Sequence, residues 1–329
     1  MNGDWVNILN FAVRRIVTSV LLIASVVSVV FFMVHFAPGD PLSSMLSPTI
    51  SASAAEATRA HFGLDRPVLD QYSIWIQNCL RGDFGISISH GRPVRELITE
   101  FLPNTMLLAF VAIVVEFIIG TVLSLVAIRR HRKIGGRFVS NTGLLLCTVP
   151  TFWVGVVLAG VCSFLLGILP SSQMHSIGAE DLSFAARLAD LAKHIVLPAL
   201  TIAIPGSAII ARYLTANLTR LQNEEYILFA RSYGLKKKRL FCSYELPNAI
   251  APLITFFGLE LGTLLTGALV TETIYAWPGM GRLAVMAIGS RDYPLVMGCT
   301  VVAGAVVIIG NLIADLLYML VDPRVRIKG

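Results

Sequence analysis

Acidic residues inside long apolar stretches are the side chains of this sequence with the most obvious chemical potential. Glu260 lies between Gly258 and Gly262 in one such stretch. An acid at that depth in a membrane costs roughly 2 to 3 kcal/mol unless it faces protein or water, so we expect it to point inward. It could recognise an amine or a cation, or it could be a polar contact between helices that the Gly258–Gly262 spacing brings together. The sequence leaves both interpretations open.

The motifs of common enzyme active sites do not occur in the sequence. It contains no GxxxxGK[ST] string, so we do not expect the chain to hydrolyse ATP by itself. It also lacks HExxH and GxSxG, and its six histidines form no pair at helical spacing. The five cysteines are widely spaced, which indicates neither a disulfide framework nor a zinc site. We therefore expect no catalytic residue, no metal and no cofactor on this chain.

The composition is that of a polytopic membrane protein. Of the 329 residues, 55% are hydrophobic and 14% are charged, and the mean hydropathy is +0.74. Such a chain is too apolar for a soluble globular protein. The net charge of +6 could indicate a nucleic-acid partner, but the basic residues fall between apolar stretches, a pattern that sets membrane orientation. Nucleic-acid binding is therefore not predicted.

Six apolar stretches are long enough, or nearly so, to cross a membrane, which takes about 20 helical residues. The predicted spans are Ile16–Phe36, Thr105–Ile128, Gly143–Leu169, Ile195–Tyr213, Ala249–Ile274 and Leu295–Leu320. Pro150 predicts a kink or break in the third span. The fourth span is the weakest, because Pro198 and Pro205 are expected to interrupt it. The predicted fold class is an all-α polytopic membrane protein.

The distribution of basic residues predicts the orientation of the spans. Most of the 26 lysines and arginines fall on one side, which should be cytosolic and should hold both termini. The predicted organisation is a cytosolic N-terminus at 1–15, a first span at 16–36, an external segment at 37–102, a core at 103–320 and a cytosolic tail at 321–329. Within the core, residues 222–247 form a polar, basic loop in the cytosol.

The cytosolic loop at 222–247 has the signals of a short helix. Asn223 is a candidate N-cap, and Glu224 and Glu225 lie in the first turn, where the helix dipole favours acids. Gly234 is expected to end the helix in the left-handed conformation. A cationic block at 236–239 follows, which could face lipid headgroups or a partner.

The spacing within this loop resembles the EAA loop of permease subunits in binding-protein-dependent ATP-binding cassette importers. Ala230, Gly234 and the pair Leu246-Pro247 hold the frame of that motif. Leu228 and Phe229 stand where the family has Glu and Ala, and Tyr244 stands where it has Ile. On spacing alone, the loop is also explained as an ordinary connecting helix whose lysines extend toward the headgroups.

Further sequence words extend the resemblance, over most of the chain, to the dipeptide and oligopeptide permease subfamily. They are Pro38–Pro41, Phe62–Pro67, Arg81–Ser87, Pro103–Leu107, Pro150–Gly155, His194–Thr201, Glu272–Leu283, Arg291–Pro294 and Asp322–Arg326. The resemblance implies the type I ABC importer fold, with six transmembrane helices and a long extracytosolic segment between the first two. It implies a multi-pass protein of the bacterial cytoplasmic (inner) membrane.

The resemblance also implies roles for particular residues. ATPase coupling is expected at Glu225, Ala230, Arg231, Gly234, Leu246 and Pro247. An external gate that docks the binding protein is expected at Asp83, Phe84, Gly85, Trp277, Pro278 and Gly279. Glu260 is the candidate residue of the translocation pathway. On its residues alone, the aromatic turn around Trp277 is also explained as an anchor at the membrane interface.

The expected partners are a second homologous permease, two ATPase subunits that carry ATP and Mg, an extracytosolic substrate-binding protein and the lipid membrane. The expected cargo is a peptide, with nickel or another metal chelate as the alternative. An ion-coupled secondary transporter is the alternative from another class. It would need its own coupling-ion site and often has an internal repeat, and the two halves of the sequence show no convincing self-similarity.

Overall fold

A computed structural model describes residues 2–36, 66–129, 148–250, 253 and 268–321 of the chain. The described part is helical, and its only extended pairing is an isolated bridge between Ile86 and Pro93. The α-helices are α1 (Asn2–Phe36), α2 (Val68–Leu80), α3 (Val94–Arg129), α4 (Thr151–Leu158), α5 (Phe184–Leu221), α6 (Glu225–Ser232), α7 (Lys237–Leu240), α8 (Met280–Gly289) and α9 (Tyr293–Val321).

Several shorter helical pieces complete these elements. A π-helical segment at Ala159–Leu165 continues α4, and a second at Phe241–Glu245 continues α7. A 3₁₀ turn lies at Ala179–Asp181. Residues 246–250 and 268–274 are also helical.

Four helices of the described chain are long and apolar enough to cross a membrane. They contain Ile16–Met33, Val94–Arg129, Phe184–Leu221 and Tyr293–Ile313. These helices confirm the first, second, fourth and sixth predicted spans. The described part of the third span, Thr151–Leu165, is shorter. Most of the fifth span, Glu260 included, lies outside the described residues.

The prolines act differently in the third and fourth spans. Pro150 precedes α4 with an extended backbone (φ −60°, ψ 135°), so it marks the start of the helix, in agreement with the predicted break. Pro198 and Pro205, by contrast, lie inside the continuous 38-residue helix α5, so the expectation that they interrupt the span was wrong. Neighbouring helices can satisfy the carbonyl groups that a proline leaves without a donor inside a membrane.

The chain divides into two compact units, and its contacts are described within each. Unit 1 consists of residues 1–105 and 278–308, and unit 2 consists of residues 106–277 and 309–329.

The core of unit 1 joins the starts of α3 and α9 to α8. Its buried side chains include Val94, Leu97, Met280, Leu283 and Leu295. A second cluster packs α2 against α1, and its members are Val27, Phe31, Met297, Tyr72 and Trp75. The first cluster fixes the starts of α3 and α8, which follow the predicted external residues 83–85 and 277–279 along the chain.

The core of unit 2 depends on a close approach of α3 and α5. A Cβ atom on Gly120 would lie 2.8 Å from both the Cβ of Ile210 and the carbonyl oxygen of Ser207, so only glycine fits there. One turn further, the Thr215 hydroxyl donates to the Ser124 hydroxyl at 3.0 Å. Small residues at a helix contact allow this backbone approach where the surrounding lipid supplies no hydrophobic driving force.

Candidate functional site

The predicted cytosolic helix is present as α6. The chain leaves α5 at Leu221 and enters α6 through Glu224, whose backbone is extended (φ −70°, ψ 141°). Asn223 is not the N-cap, so that prediction was wrong. Its side-chain amide donates to the Thr219 carbonyl at 3.3 Å and so serves the end of α5. Glu225 lies exposed in the first turn of α6, where the helix dipole favours an acid.

The end of α6 explains the spacing from Ala230 to Gly234. The amide of Leu235 donates to the Ala230 carbonyl at 3.3 Å, and the amide of Gly234 donates to the Arg231 carbonyl at 3.0 Å. These two bonds form a Schellman motif, with Gly234 in the left-handed conformation at φ +79°. The prediction that Gly234 ends the helix is confirmed. The motif sets where the helix stops and how the chain turns back.

One side of α6 is held by the protein and the opposite side is open. Ile227 is fully buried. Tyr226, Phe229 and Tyr233 follow one another at three- and four-residue steps on the other side, and they are 44%, 64% and 74% exposed. The rings of Phe229 and Tyr233 lie 4.7 Å apart between centroids. We call these three residues the aromatic face. A contiguous exposed apolar patch of this kind is typical of a protein-docking site.

Charged groups surround the base of α6. The guanidinium of the half-exposed Arg231 lies 3.9 Å from the carboxylate of Glu245, which is buried in the second π-helical segment. Burial, and to a lesser extent the charge of Glu224, raises the pKa of Tyr226, so this phenol keeps its proton at neutral pH. The basic block at 236–239 is exposed and leaves the positive charge of the loop available to a partner.

Leu246 and Pro247 follow the second π-helical segment directly. Leu246 is half-buried and Pro247 is exposed. A proline inside a helix has no N–H for the carbonyl four residues earlier, and its ring crowds that carbonyl. The wider turn at Phe241–Glu245 accommodates both effects. The six predicted coupling residues therefore lie on one continuous stretch of unit 2, from α6 to the helical residues 246–250.

The aromatic turn after residues 268–274 is buried. Trp277 is fully buried in an apolar cluster with Leu108 and Ala112 of α3 and Ile195 and Ala199 of α5. An aromatic belt anchor exposes its ring to the headgroup region, so this burial argues against that interpretation of Trp277.

A second Schellman motif directs Trp277 into this cluster. Its amide donates to the Glu272 carbonyl at 2.9 Å, and the amide of Ala276 donates to the Thr273 carbonyl at 3.3 Å. Ala276 is left-handed at φ +48°, a conformation that costs a residue with a Cβ roughly 1 kcal/mol or more. The surrounding contacts must offset that cost.

The residues after Trp277 are fixed by the Asn104-Thr105 pair, within unit 1. The Asn104 amide donates to the Pro278 carbonyl at 2.8 Å. The Thr105 hydroxyl accepts from the Met280 amide at 2.7 Å and so caps the start of α8 from another helix. Gly279, between them, is buried with an extended backbone. Two of the sequence words that carried the family resemblance thus form one hydrogen-bonded structure.

The predicted external residues 83–85 form a tight turn in unit 1. The carboxylate of Asp83 accepts from the Gly85 amide at 2.9 Å, and Gly85 is left-handed at φ +82°. Phe84 packs against the apolar cluster that contains Met280. Asp83 and Gly85 are exposed. Residues 83–85 therefore contribute to the same core as α8, whereas Trp277 belongs to unit 2.

Asp292 was not predicted as a site residue, although it lies in one of the matched sequence words. It is fully buried and accepts from the Ser87 hydroxyl at 2.5 Å, the Ser89 amide at 2.9 Å and the Leu295 amide at 3.2 Å. The last bond makes it the N-cap of α9. His90 is 3.2 Å from the Ser87 hydroxyl, but Asp292 bonds to the serines and not to this imidazole. The cluster therefore lacks the geometry of a hydrolase triad.

Comparisons with known proteins agree with this helical membrane architecture. Residues 117–327 match the family "Binding-protein-dependent transport system inner membrane component". Residues 8–109 match the family "Binding-prot-dependent transport system membrane comp, N-term".

Two curated relatives are similar over nearly the whole chain. Oligopeptide transport system permease protein AppB of Bacillus subtilis (strain 168) is 37% identical over 320 residues, which is 96% of this chain and 99% of that protein. Glutathione transport system permease protein GsiC of Escherichia coli (strain K12) is 31% identical over 321 residues, which is 97% of this chain and 100% of that protein.

A solved structure supports the fold. The crystal structure of an amino acid ABC transporter with histidines is 15% identical and superposes with a TM-score of 0.52 over 68% of this chain and 94% of that one. The fold is that of a type I ABC importer membrane subunit. The chain belongs to the family of binding-protein-dependent transport system inner membrane components, and it is a multi-pass permease subunit of such an importer.

Proposed function

We propose that this permease subunit imports peptides and is driven by separate ATPase subunits that bind it through α6. A periplasmic or otherwise extracytosolic binding protein delivers the peptide. ATP and Mg are bound by two ATPase subunits, and a second, homologous permease completes the pathway. This chain supplies part of the pathway and no catalytic residue.

The aromatic face of α6 is the observation that carries the proposal. Tyr226, Phe229 and Tyr233 are exposed together, while Ile227 holds the opposite side of the helix in the protein. Aromatic side chains supply large contact areas at low entropic cost and are enriched at the centres of protein interfaces. The basic block at 236–239 adds charge that orients an acidic partner surface. The positive charge of this loop also supports a cytosolic location, with both termini on the same side.

The departures from the family motif have a physical meaning in this proposal. Leu228 and Phe229, which stand where the family has Glu and Ala, are both exposed. A partner that contacts them meets apolar side chains and no carboxylate at this point. We therefore expect the partner ATPase to present an apolar groove here, and we expect it to discriminate against permeases with the acidic motif.

The two relatives support a peptide as the cargo, because one transports oligopeptides by name and the other glutathione. Cargo selection falls mainly to the binding protein, which is a separate chain. Nickel or another metal chelate is the alternative cargo. Proteoliposomes that contain the full importer and its binding protein distinguish the two, with labelled peptide and radioactive nickel as the two substrates.

The coupling part of the proposal is tested by co-purification. A tagged permease that is co-expressed with its neighbouring ATPase subunits should retain them through purification, and the pair should hydrolyse ATP. Phe229→Ala should lower the retained ATPase at least tenfold, because truncation of an interface hot spot costs about 2 kcal/mol or more. The control is Phe164→Ala, which removes another exposed phenylalanine, from the π-helical segment after α4. Equal retention by both variants would contradict the proposal.

A further inference from the structure

We propose that Tyr275 is a positioning residue that acts through Trp277: its hydroxyl latches the aromatic turn shut, and the latch opens during transport. The inference rests on the proposed function and on the expected external gate, which places this turn at the extracytosolic end of the pathway. It assigns a role to a side chain outside the predicted gate set. All the contacts that carry it lie within unit 2.

The phenol of Tyr275 joins three stretches of the chain. Its hydroxyl donates to the Gly155 carbonyl of α4 at 2.9 Å and lies 3.0 Å from the Thr201 hydroxyl of α5. Because the phenolic proton goes to Gly155, the phenolic oxygen is left to accept from Thr201. Thr201 also lies 2.9 Å from the Leu197 carbonyl, so its single proton is shared. Tyr275 and Thr201 are both buried, which strengthens these bonds and excludes water from them.

The close approach of α4 and α5 at Gly155 permits this contact of the phenol. A Cβ on Gly155 would lie 3.1 Å from the Thr201 methyl and 3.2 Å from Ile274. Such a side chain would push α4 away from Thr201 and from the end of the helix that carries Tyr275. The glycine therefore allows the Gly155 carbonyl to reach the phenol.

The backbone of Tyr275 makes a further hydrogen bond. Its carbonyl accepts from the amide of Gln173, in the loop between α4 and α5, at 2.7 Å. Gln173 and Ala276, on the two sides of this bond, are both left-handed, at φ +71° and +48°. Two strained residues that face each other across one hydrogen bond persist only while the surrounding contacts hold them. Loss of the phenol contacts would let both relax and would withdraw Trp277 from its cluster.

The experiment measures the exposure of Trp277 in the assembled importer. Trp5, Trp75 and Trp153 are replaced by Phe, which leaves Trp277 as the sole tryptophan of this chain. The same background with Trp277→Phe gives the signal of the partner subunits, which is subtracted. Acrylamide quenching is measured without nucleotide and after trapping with ATP and vanadate. Tyr275→Phe removes only the hydroxyl, Thr201→Val removes the second partner, and Thr201→Ser keeps it as the matched control.

We expect Trp277 to be protected without nucleotide and at least twofold more quenched after vanadate trapping. Without nucleotide, Tyr275→Phe should already show the quenching of the vanadate-trapped parent. In the absence of the binding protein, this variant should hydrolyse ATP roughly fivefold faster than the parent, which is the effect of one lost hydrogen bond. In both quenching and ATP hydrolysis, Thr201→Val should lie between the parent and Tyr275→Phe, and Thr201→Ser should match the parent. If the single-tryptophan background does not assemble, the same ATPase comparison is made in the native background.

Equal protection of Trp277 in every state would overturn the inference, because a merely structural tyrosine would not make the tryptophan respond to nucleotide. A Tyr275→Phe variant that matches Thr201→Ser would overturn it as well, and so would faster hydrolysis with no change at Trp277. ATP-driven uptake by the parent importer is a separate readout. Its failure would count against the proposed function, while the quenching of Tyr275→Phe would still report on the latch.

Discussion

Five helix ends in the described chain turn through left-handed residues, and three of them show different reasons for the turn. α6 ends at Gly234, residues 268–274 end at Ala276, and α8 ends at Arg291, with φ values of +79°, +48° and +55°. A Cβ added to Gly234 would meet no atom within 4 Å, so the backbone conformation alone requires glycine. At Ala276 and Arg291 the following residues, Trp277 and Asp292, are buried, and their burial holds the turn.

Substitutions at Gly234 separate backbone conformation from side-chain volume. Gly234→Val should destroy the Schellman turn, because a β-branched residue is the least tolerant of positive φ. Gly234→Asn should preserve it, because asparagine adopts this conformation readily. We expect the valine variant to insert normally and to lose at least tenfold in ATP-driven uptake, with the asparagine variant within about twofold of the parent. Uptake in proteoliposomes at matched protein levels measures this, and equal activities would show that the turn does not matter.

At the scale of the elements, caps supplied by distant residues position the helices. α8 begins where Thr105 of α3 accepts from Met280, and α9 begins where Asp292 accepts from Leu295 while it also binds Ser87 and Ser89. The bonds of Asp292 connect the segment before α3 to the start of α9. A helix end that is capped by another element cannot shift without breaking that contact.

Asp292 should therefore be a strong determinant of stability. Asp292→Ala removes an N-cap, worth about 1 kcal/mol, and takes the carboxylate acceptor from the buried Ser87 hydroxyl, at roughly 1 to 3 kcal/mol. We expect a clearly lower melting temperature in detergent than for the parent, with Asp292→Asn in between. The control is Asp181→Ala, at an exposed aspartate of the 3₁₀ turn. A melting temperature equal to that of this control would contradict the assignment.

The contact between α3 and α5 gives a second test at this scale. Gly120→Ala places a methyl group 2.8 Å from Ile210 and should cost about 1 to 3 kcal/mol through overpacking. Gly160→Ala makes the same chemical change where no atom lies within 4 Å. We expect Gly120→Ala to unfold at a lower temperature than Gly160→Ala. Indistinguishable unfolding would mean that the helices are less closely packed than the geometry requires.

Local sequence signals predicted where helices and spans lie better than they predicted which residues of other elements pack against them. Gly234 could be placed because a left-handed turn needs a glycine, and four spans could be placed from hydropathy. Asn223 was assigned to the wrong helix because a cap residue between two helices can serve either one. Pro198 and Pro205 did not break α5, and the Trp277 side chain is buried in the protein, because both outcomes depend on tertiary neighbours. The Asp292 cluster joins residues about two hundred positions apart, which no local pattern reveals.

At the scale of the whole molecule, this chain is a permease subunit of a binding-protein-dependent importer, and the proposed function makes it dependent on an external source of energy. The short helix α6 carries the exposed aromatic face and is followed by the basic block at 236–239. Ile227 is buried, and the Schellman turn at Gly234 fixes the direction in which the chain leaves α6. In the proposed function, a force applied to α6 by the ATPase is passed along the chain to the neighbouring spans.

Site-specific photo-crosslinking in the intact importer tests this claim most directly. A photoreactive amino acid at Phe229 should crosslink to an ATPase subunit, and one at Ile177, an exposed apolar residue of the loop between α4 and α5, should not. The crosslink from position 229 should form in membranes that carry all subunits, and ATP with vanadate should change its yield. Crosslinking from position 229 to lipid alone, with the ATPase subunits present and active, would contradict the account.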